Sequence, residues 1–151
     1  MADRLRLGIV GCGGIGVTHL RGLVKNQFVE LSAFCDVNLD LARSVAQQFG
    51  QGAPVFNSAE TMFNEVKLDV AYFCVPPFAH GIEYLAIDRG IPFFVEKPLH
   101  LDLDQAKLIA SAVEQKKVLT SVGYMNRYRK ACKGSEKCLK RTLLFFCLEA
   151  G

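Results

Sequence analysis

The sequence lacks any uninterrupted apolar stretch of about 18 residues, the length that a membrane-spanning helix needs. Glycine, proline or a charged residue breaks each of the longer apolar stretches, so no membrane association is predicted. A signal peptide is not indicated either, because the N-terminus leads into a glycine-rich turn rather than an apolar segment with a cleavage site. These absences predict a cytoplasmic protein.

No C-x-x-C pair occurs among the six cysteines. Three of them lie in or beside predicted strands, where a reduced thiol behaves as a small apolar side chain. Neither a metal site nor a disulfide framework is therefore indicated. The cysteines are Cys12, Cys35, Cys74, Cys132, Cys138 and Cys147.

A strongly basic surface is also lacking over most of the chain. Residues 1–126 contain 11 Lys and Arg against 13 Asp and Glu, a net charge of −2, whereas residues 127–151 contain 7 against 2, a net charge of +5. The body of the protein is therefore not expected to bind nucleic acid.

Short apolar segments alternate with amphipathic segments from residue 5 to residue 122. The segment 71–75 is apolar throughout, as expected for a parallel strand covered by helices on both faces. The pattern predicts an α/β fold, a doubly wound and mostly parallel sheet. The predicted strands are 5–10, 29–35, 55–56, 70–75, 92–96 and 118–122, and the predicted helices include 39–49, 58–66, 80–89 and 102–117. Gly50 is expected to end the helix over 39–49, and Ser58 can cap the helix over 58–66.

A G-x-G-x-x-G motif directly follows the first predicted strand and opens the first helix. In such a motif the first glycine makes a tight turn, the second lets the backbone approach a pyrophosphate, and the third lets the helix pack closely on the strand. Amide groups at the helix N-terminus then bind the phosphate charge. The motif predicts dinucleotide binding by residues 11–16, which include Gly11, Gly13, Gly14, Ile15 and Gly16.

Asp36 follows the second strand, 20 residues beyond Gly16. A carboxylate at this spacing is expected to accept hydrogen bonds from an adenosine ribose and to repel a 2′-phosphate. Because no arginine directly follows it, NAD is favoured over NADP as cofactor. The alternative is that Asp36 only caps the next helix.

Glu96, Lys97 and Pro98 close the predicted fifth strand at its carboxyl end, at the edge of an open α/β sheet where ligands bind. A lysine there can hold a substrate hydroxyl and stabilise the charge that develops on its oxygen during hydride transfer. The alternative for a lone lysine at a strand end is a solvated surface charge.

Together these segments resemble the N-terminal domain of the Gfo/Idh/MocA oxidoreductase family, over residues 4–130. The Glu-Lys-Pro element is the most specific part of the match. The segments are 11–16 with His19, 35–36, 75–77 with His80, 96–98, and 123–128.

The resemblance implies a nicotinamide-dependent oxidoreductase acting on CH–OH groups of sugars, inositols or related polyols. It implies that Lys97 is the catalytic lysine and that Glu96 lies near the nicotinamide ring. It also implies that the cofactor is lined by Val75, Pro76 and His80, and that Asn126 lies where the chain leaves the sheet. His19 is expected to be structural, packing within the first helix.

Residues 131–151 do not resemble the family's continuation, a second α/β domain that carries the substrate pocket and the usual dimer surface. We therefore expect a dinucleotide-binding domain over 1–125, an interdomain start and unassigned tail over 126–151, and a truncated, catalytically incomplete chain. Self-association is a further expectation. A non-catalytic NAD(H)-binding module or partner subunit is the main alternative, and a methyl-donor enzyme is a weaker one.

Overall fold

A computed structural model describes residues 4–125. Six strands alternate with helices along this part of the chain. The strands are β1 (Leu5–Val10), β2 (Val29–Cys35), β3 (Val55–Phe56), β4 (Val70–Phe73), β5 (Phe93–Val95) and β6 (Thr120–Val122). The helices are α1 (Gly14–Leu23), α2 (Leu39–Phe49), α3 (Ala59–Glu65), α4 (Tyr84–Ile87) and α5 (Leu103–Lys116), with a 3₁₀ turn at Pro77–Ala79.

The strands form one sheet in the order β3-β2-β1-β4-β5-β6, and every neighbouring pair is parallel. Strand order reverses between β1 and β4, because the chain proceeds outward from β1 to β3 and then returns to the other side of β1. In open sheets of this kind ligands bind beyond the carboxyl ends of the strands at this reversal.

Two apolar clusters cover the two faces of the sheet. One joins β1 and β2 to α1 and α2 and includes Ile9, Phe34 and Leu20. The other joins the sheet to α3, α4 and α5 and includes Phe73 and Ile109. The predicted doubly wound sheet is therefore confirmed.

Several predicted helix ends are confirmed because they depend on local chemistry. The Ser58 hydroxyl accepts a hydrogen bond from the Thr61 amide and caps α3. Gly50 ends α2, and a side chain at this position would collide with the Phe34 ring. The Asp102 carboxylate accepts bonds from two amides of the first turn of α5.

The predicted helix over 80–89 was wrong in its first half, since α4 begins only at Tyr84. Gly81 has a φ of 108°, a conformation that interrupts a right-handed helix. The Glu83 carboxylate also accepts a hydrogen bond from the Gly81 amide and contacts the His80 ring, which holds the chain in a turn. Strands 70–75, 92–96 and 118–122 are likewise shorter than predicted, by one or two residues at their ends.

No helix within residues 4–125 is long and apolar enough to cross a membrane.

Candidate functional site

The carboxyl ends of β1, β2, β4 and β5 bring most of the predicted site residues to one edge of the sheet, called the carboxyl edge below. The glycine turn follows β1, Asp36 follows β2, Val75 and Pro76 follow β4, and Glu96 with Lys97 follows β5. These segments are separated in sequence by up to 86 positions between Gly11 and Lys97. They meet because all of the strands run in the same direction.

Two glycines of the turn are required by the backbone. Gly11 has a φ of +94°, and a side chain on it would meet the Cys74 carbonyl. A side chain on Gly16 would meet the Gly11 carbonyl oxygen. The turn is further fixed by the Gly11 amide, which donates to the Cys35 carbonyl at 2.8 Å. Gly11 and Gly16 therefore provide the tight turn and the close packing expected of the first and third glycines.

Gly13 and Gly14 differ from these two glycines, because a Cβ on either would meet no atom of residues 4–125 within 4 Å. Gly13 is the N-cap of α1 and offers no side-chain cap to the amides that follow. The amides of Gly14, Ile15 and Gly16 belong to the first turn, which has no intrahelical acceptor. The turn thus leaves open space beside a helix N-terminus, an arrangement that suits a phosphate group.

Asp36 lies half-buried beside this turn. Its Oδ2 accepts a hydrogen bond from the Cys12 amide at 2.8 Å, and its Oδ1 accepts one from the Asn38 amide at 2.9 Å. The cap of α2 is Asn38, whose side chain accepts from the Leu41 amide. The alternative role of Asp36 as the helix cap was therefore wrong, and its carboxylate instead fixes the end of β2 to the glycine turn.

Three cysteines in or beside the turn have buried side chains: Cys12, Cys35 and Cys74. Burial raises the pKa of Cys12 to about 12, of Cys35 to about 11 and of Cys74 to about 12. The nearby Asp36 charge adds to the shift for Cys12 and Cys35. These cysteines are therefore protonated and unreactive at neutral pH, as expected of core residues.

The loop after β4 carries Val75, half-buried against the core, and Pro76, which is exposed. The side chain of His80 is fully buried, with Nδ1 at 2.5 Å from Glu83 Oε1. Within residues 4–125 its Nε2 has no hydrogen-bond partner. This pairing holds the loop, and the role of His80 toward a cofactor stays a prediction.

Glu96 and Lys97 lie at the end of β5. Lys97 is exposed, and within residues 4–125 no carboxylate lies within 4.0 Å of its Nζ. Glu96 Oε2 accepts a hydrogen bond from the Lys97 amide at 3.0 Å. The Lys97–Pro98 peptide bond is cis.

Sequence reasoning missed one contact of this site. His19 was expected to pack within the first helix, but its Nε2 donates to Glu96 Oε1 at 2.8 Å. The signal was its position three residues after Gly16, since residues three and four apart share a helix face. Gly16 packs on Gly11 of the turn and on Cys74 after β4, so His19 also faces the sheet.

Asn126, predicted at the exit from the sheet, lies outside the described residues. Within residues 4–125 no group of three or more His, Cys, Asp or Glu is placed to hold a metal ion.

The parallel sheet with its reversed strand order, the glycine turn before α1 and the carboxylate after β2 define a dinucleotide-binding α/β domain. Comparison with known protein families identifies the particular family within this class. The sequence profile of the Gfo/Idh/MocA oxidoreductase family, described as an NAD-binding Rossmann fold, matches residues 5–124. The chain belongs to this family, and the resemblance inferred from its motifs is confirmed.

Individual relatives agree with this assignment. The inositol 2-dehydrogenase of Cereibacter sphaeroides (strain ATCC 17023) is 36% identical over 127 residues, which are 82% of this chain and 37% of that protein. The crystal structure of myo-inositol 2-dehydrogenase from Lactobacillus plantarum superposes with a TM-score of 0.79 at 26% identity, over 92% of this chain and 42% of that one.

A third relative, GenD2 from gentamicin A biosynthesis, was solved in complex with NAD. It superposes with a TM-score of 0.74 at 26% identity, over 82% of this chain and 35% of that one. The chain thus spans about two fifths of the length of the relatives it matches.

Proposed function

We propose that this chain holds NAD(H) across the carboxyl edge as the cofactor-binding domain of an oxidoreductase acting on CH–OH groups of inositols, sugars or related polyols. The observation that carries the proposal is the open space at Gly13 and Gly14, beside the N-terminus of α1. It lies at the reversal of strand order, between Asp36 on one side and Glu96 with Lys97 on the other.

The space fits a pyrophosphate. A dinucleotide phosphate is anionic, and the first amides of α1 present both donors and the positive end of the helix dipole. No Cβ stands between the backbone of Gly13 or Gly14 and such a group. The helix has no acidic residue in its first turn that would repel it.

We propose the orientation of the dinucleotide from the residues at the carboxyl ends of the strands on either side of the glycine turn. A carboxylate at the end of β2 accepts hydrogen bonds from the adenosine ribose in folds of this type, which places adenosine on the side of Asp36. The nicotinamide half then lies over β4 and β5, on the side of Glu96 and Lys97. Val75 and Pro76, in the loop after β4, and His80 and Asn126 are proposed to border this half.

Asp36 also supports NAD as the cofactor rather than NADP. Its carboxylate is already held in place by the Cys12 and Asn38 amides, so it cannot swing away from a 2′-phosphate without losing both bonds. Arg43, the nearest arginine on this segment, pairs with Asp40 at 3.0 Å.

Lys97 is proposed as the catalytic residue. When bound, NAD⁺ supplies the acceptor for a hydride from a carbon that bears a hydroxyl group. The exposed ammonium of Lys97 can donate a hydrogen bond to that hydroxyl oxygen and stabilise the negative charge that grows on it. Polyols are the proposed substrate class because the relatives above include inositol 2-dehydrogenases.

Turnover by this chain alone is proposed to be slow, because Lys97 is the one unpaired charged group that residues 4–125 are proposed to place beside the substrate. Proton transfer at the substrate oxygen ordinarily needs a positioned acid or base as well. The boundary of the dinucleotide-binding domain at residue 125, a cytoplasmic location and self-association remain proposals from the sequence.

The test is a prolonged single-turnover assay of NADH formation from NAD⁺ and myo-inositol, with the wild-type chain and Lys97→Ala in excess over cofactor. We expect saturable NAD⁺ binding by both proteins and slow NADH formation by the wild type alone. Binding without NADH formation in either protein would favour the non-catalytic NAD(H)-binding module. Lysine-dependent NADH formation at an ordinary enzymatic rate of about 1–10³ s⁻¹ would contradict the proposal that this chain alone is an incomplete catalyst.

A further inference from the structure

Both oxygens of the Glu96 carboxylate accept hydrogen bonds. His19 on α1 donates to Oε1, the Lys97 amide at the end of β5 donates to Oε2, and Gly123 after β6 leaves room for the carboxylate. We propose that His19 is a positioning residue, which through Glu96 fixes the turn that presents Lys97 to the nicotinamide half of the cofactor. The inference rests on the proposed function above.

The hydrogen bond between His19 and Glu96 spans 77 positions of sequence. The Glu96 side chain is 15% exposed and that of His19 is 28% exposed. Partial burial makes the bond stronger than an exposed pair would be, because water competes less for either group. Each side chain still reaches the surface at the carboxyl edge, so the pair borders the proposed cofactor position.

The His19 imidazole is itself packed against two aromatic rings. The His19 ring lies 4.8 Å from the Phe94 ring and 5.8 Å from the Tyr72 ring, measured between centroids. Tyr72 and Phe94 stack on each other at 4.8 Å. Because both rings belong to neighbouring strands, His19 reaches Glu96 from a rigid platform and not from a mobile loop.

The Glu96 carboxylate occupies the space that a side chain on Gly123 would need. A Cβ on Gly123 would lie 2.9–3.0 Å from three atoms of the Glu96 carboxyl group. Such contacts are too short, so any side chain at 123 would push the carboxylate away from its present place. Glycine at 123 therefore leaves the carboxylate free to accept from both His19 and the Lys97 amide.

The distinguishing experiment compares two probes. ADP-ribose contains the adenosine and pyrophosphate parts of the cofactor without nicotinamide, whereas NADH contains all of them. A positioning role for His19 requires that its loss weakens NADH binding and leaves ADP-ribose binding unchanged. A purely structural role on α1 would weaken both, since the glycine turn opens the same helix.

We expect His19→Leu to bind ADP-ribose like the wild type and NADH about tenfold more weakly, the order of one contact of the charged Lys97 side chain lost from the nicotinamide half. His19→Gln keeps an amide donor and should recover most of the affinity. The matched control is Arg21→Leu, an exposed position on the same helix, which should change neither affinity. The fluorescence of bound NADH, and its loss when ADP-ribose displaces NADH, give the dissociation constants of both probes. Thermal unfolding verifies that each variant is folded.

Gly123→Ala provides a second perturbation of the same carboxylate, from β6 instead of α1, and should reproduce the selective loss of NADH affinity. The inference is overturned if His19→Leu weakens both probes equally, if it weakens neither, or if His19→Gln behaves like His19→Leu. A wild-type chain that binds neither probe would instead refute the proposed function itself, so the two failures are distinguishable.

Discussion

Gly13→Val should abolish cofactor binding while leaving the protein folded. Gly13 has φ −68° and ψ −172°, a backbone conformation open to any residue. A Cβ on Gly13 would meet no atom of the described part of the chain within 4 Å. A weaker N-cap lowers the free energy of unfolding by roughly 0.5–1 kcal/mol. The reduced conformational entropy of the unfolded chain raises it by about 0.4–1 kcal/mol. The free energy of unfolding should therefore change by no more than about 1 kcal/mol.

Binding should respond much more strongly, because the valine side chain would occupy the space proposed for the pyrophosphate. Hydrogen bonds to charged groups contribute about 1.5–3 kcal/mol each. If the phosphate is displaced from two amides of α1, affinity for NAD should fall by at least about 100-fold.

Gly11→Val should show the opposite pattern. Here φ is +94° and the new side chain would collide with the Cys74 carbonyl. The backbone conformation alone costs about 1–3 kcal/mol for a residue with a side chain, and the collision adds to this. Stability should fall sharply before any effect on binding can be measured.

Urea unfolding and calorimetric titration with NAD, run on both variants, measure the two effects separately. Gly22→Val is the matched control, since Gly22 lies on the same helix, is exposed and would meet no neighbour either. The reasoning is refuted if Gly13→Val binds NAD normally, or if it loses as much stability as Gly11→Val.

Three further predictions follow from charges and thiols. The wild type should bind NAD more tightly than NADP. Calorimetry should show that Asp36→Asn weakens NAD binding about tenfold and reduces the difference in affinity between NAD and NADP. Equal affinities of the wild type for the two cofactors would refute the role of Asp36. Hydrogen bonds from Arg6 hold the pKa of Asp69 well below its usual range, so this carboxylate stabilises the fold above its ordinary pKa and the contribution is lost as pH falls toward the lowered value. Asp69→Asn should therefore lose less stability than the wild type between about pH 6 and pH 3 in urea unfolding, and an identical loss would contradict this. Because the pKa values of Cys12 and Cys74 are about 12, peptide mass spectrometry should find both unalkylated by iodoacetamide at neutral pH until urea is added; labelling of the native chain would show that the thiols are accessible.

The sequence was sufficient to predict the features that depend on neighbouring residues. The glycine turn, the Ser58 cap and the Gly50 helix end each follow from the chemistry of a few adjacent positions, and the structure confirms them. The order of strands and helices could also be predicted, because continuous apolar strands alternate with amphipathic helices only in a covered parallel sheet.

Features that depend on distant or competing contacts could not be predicted. The late start of α4 results from Glu83 binding the Gly81 amide and the His80 ring in preference to continuing a helix. The contact between His19 and Glu96 joins residues 77 positions apart, and no local pattern specifies such a partner. The chemical roles of Glu96 and Lys97 toward cofactor and substrate stay predictions.

The central claim is that one dinucleotide lies across the carboxyl edge, with its pyrophosphate at the glycine turn. The most direct measurement is amide NMR of the isotope-labelled chain during titration with NAD⁺. The account predicts saturable shifts concentrated at Gly13, Gly14, Asp36 and Lys97, at the carboxyl ends of three different strands. Shifts confined to the opposite edge of the sheet, or no shifts at saturating NAD⁺, would contradict it.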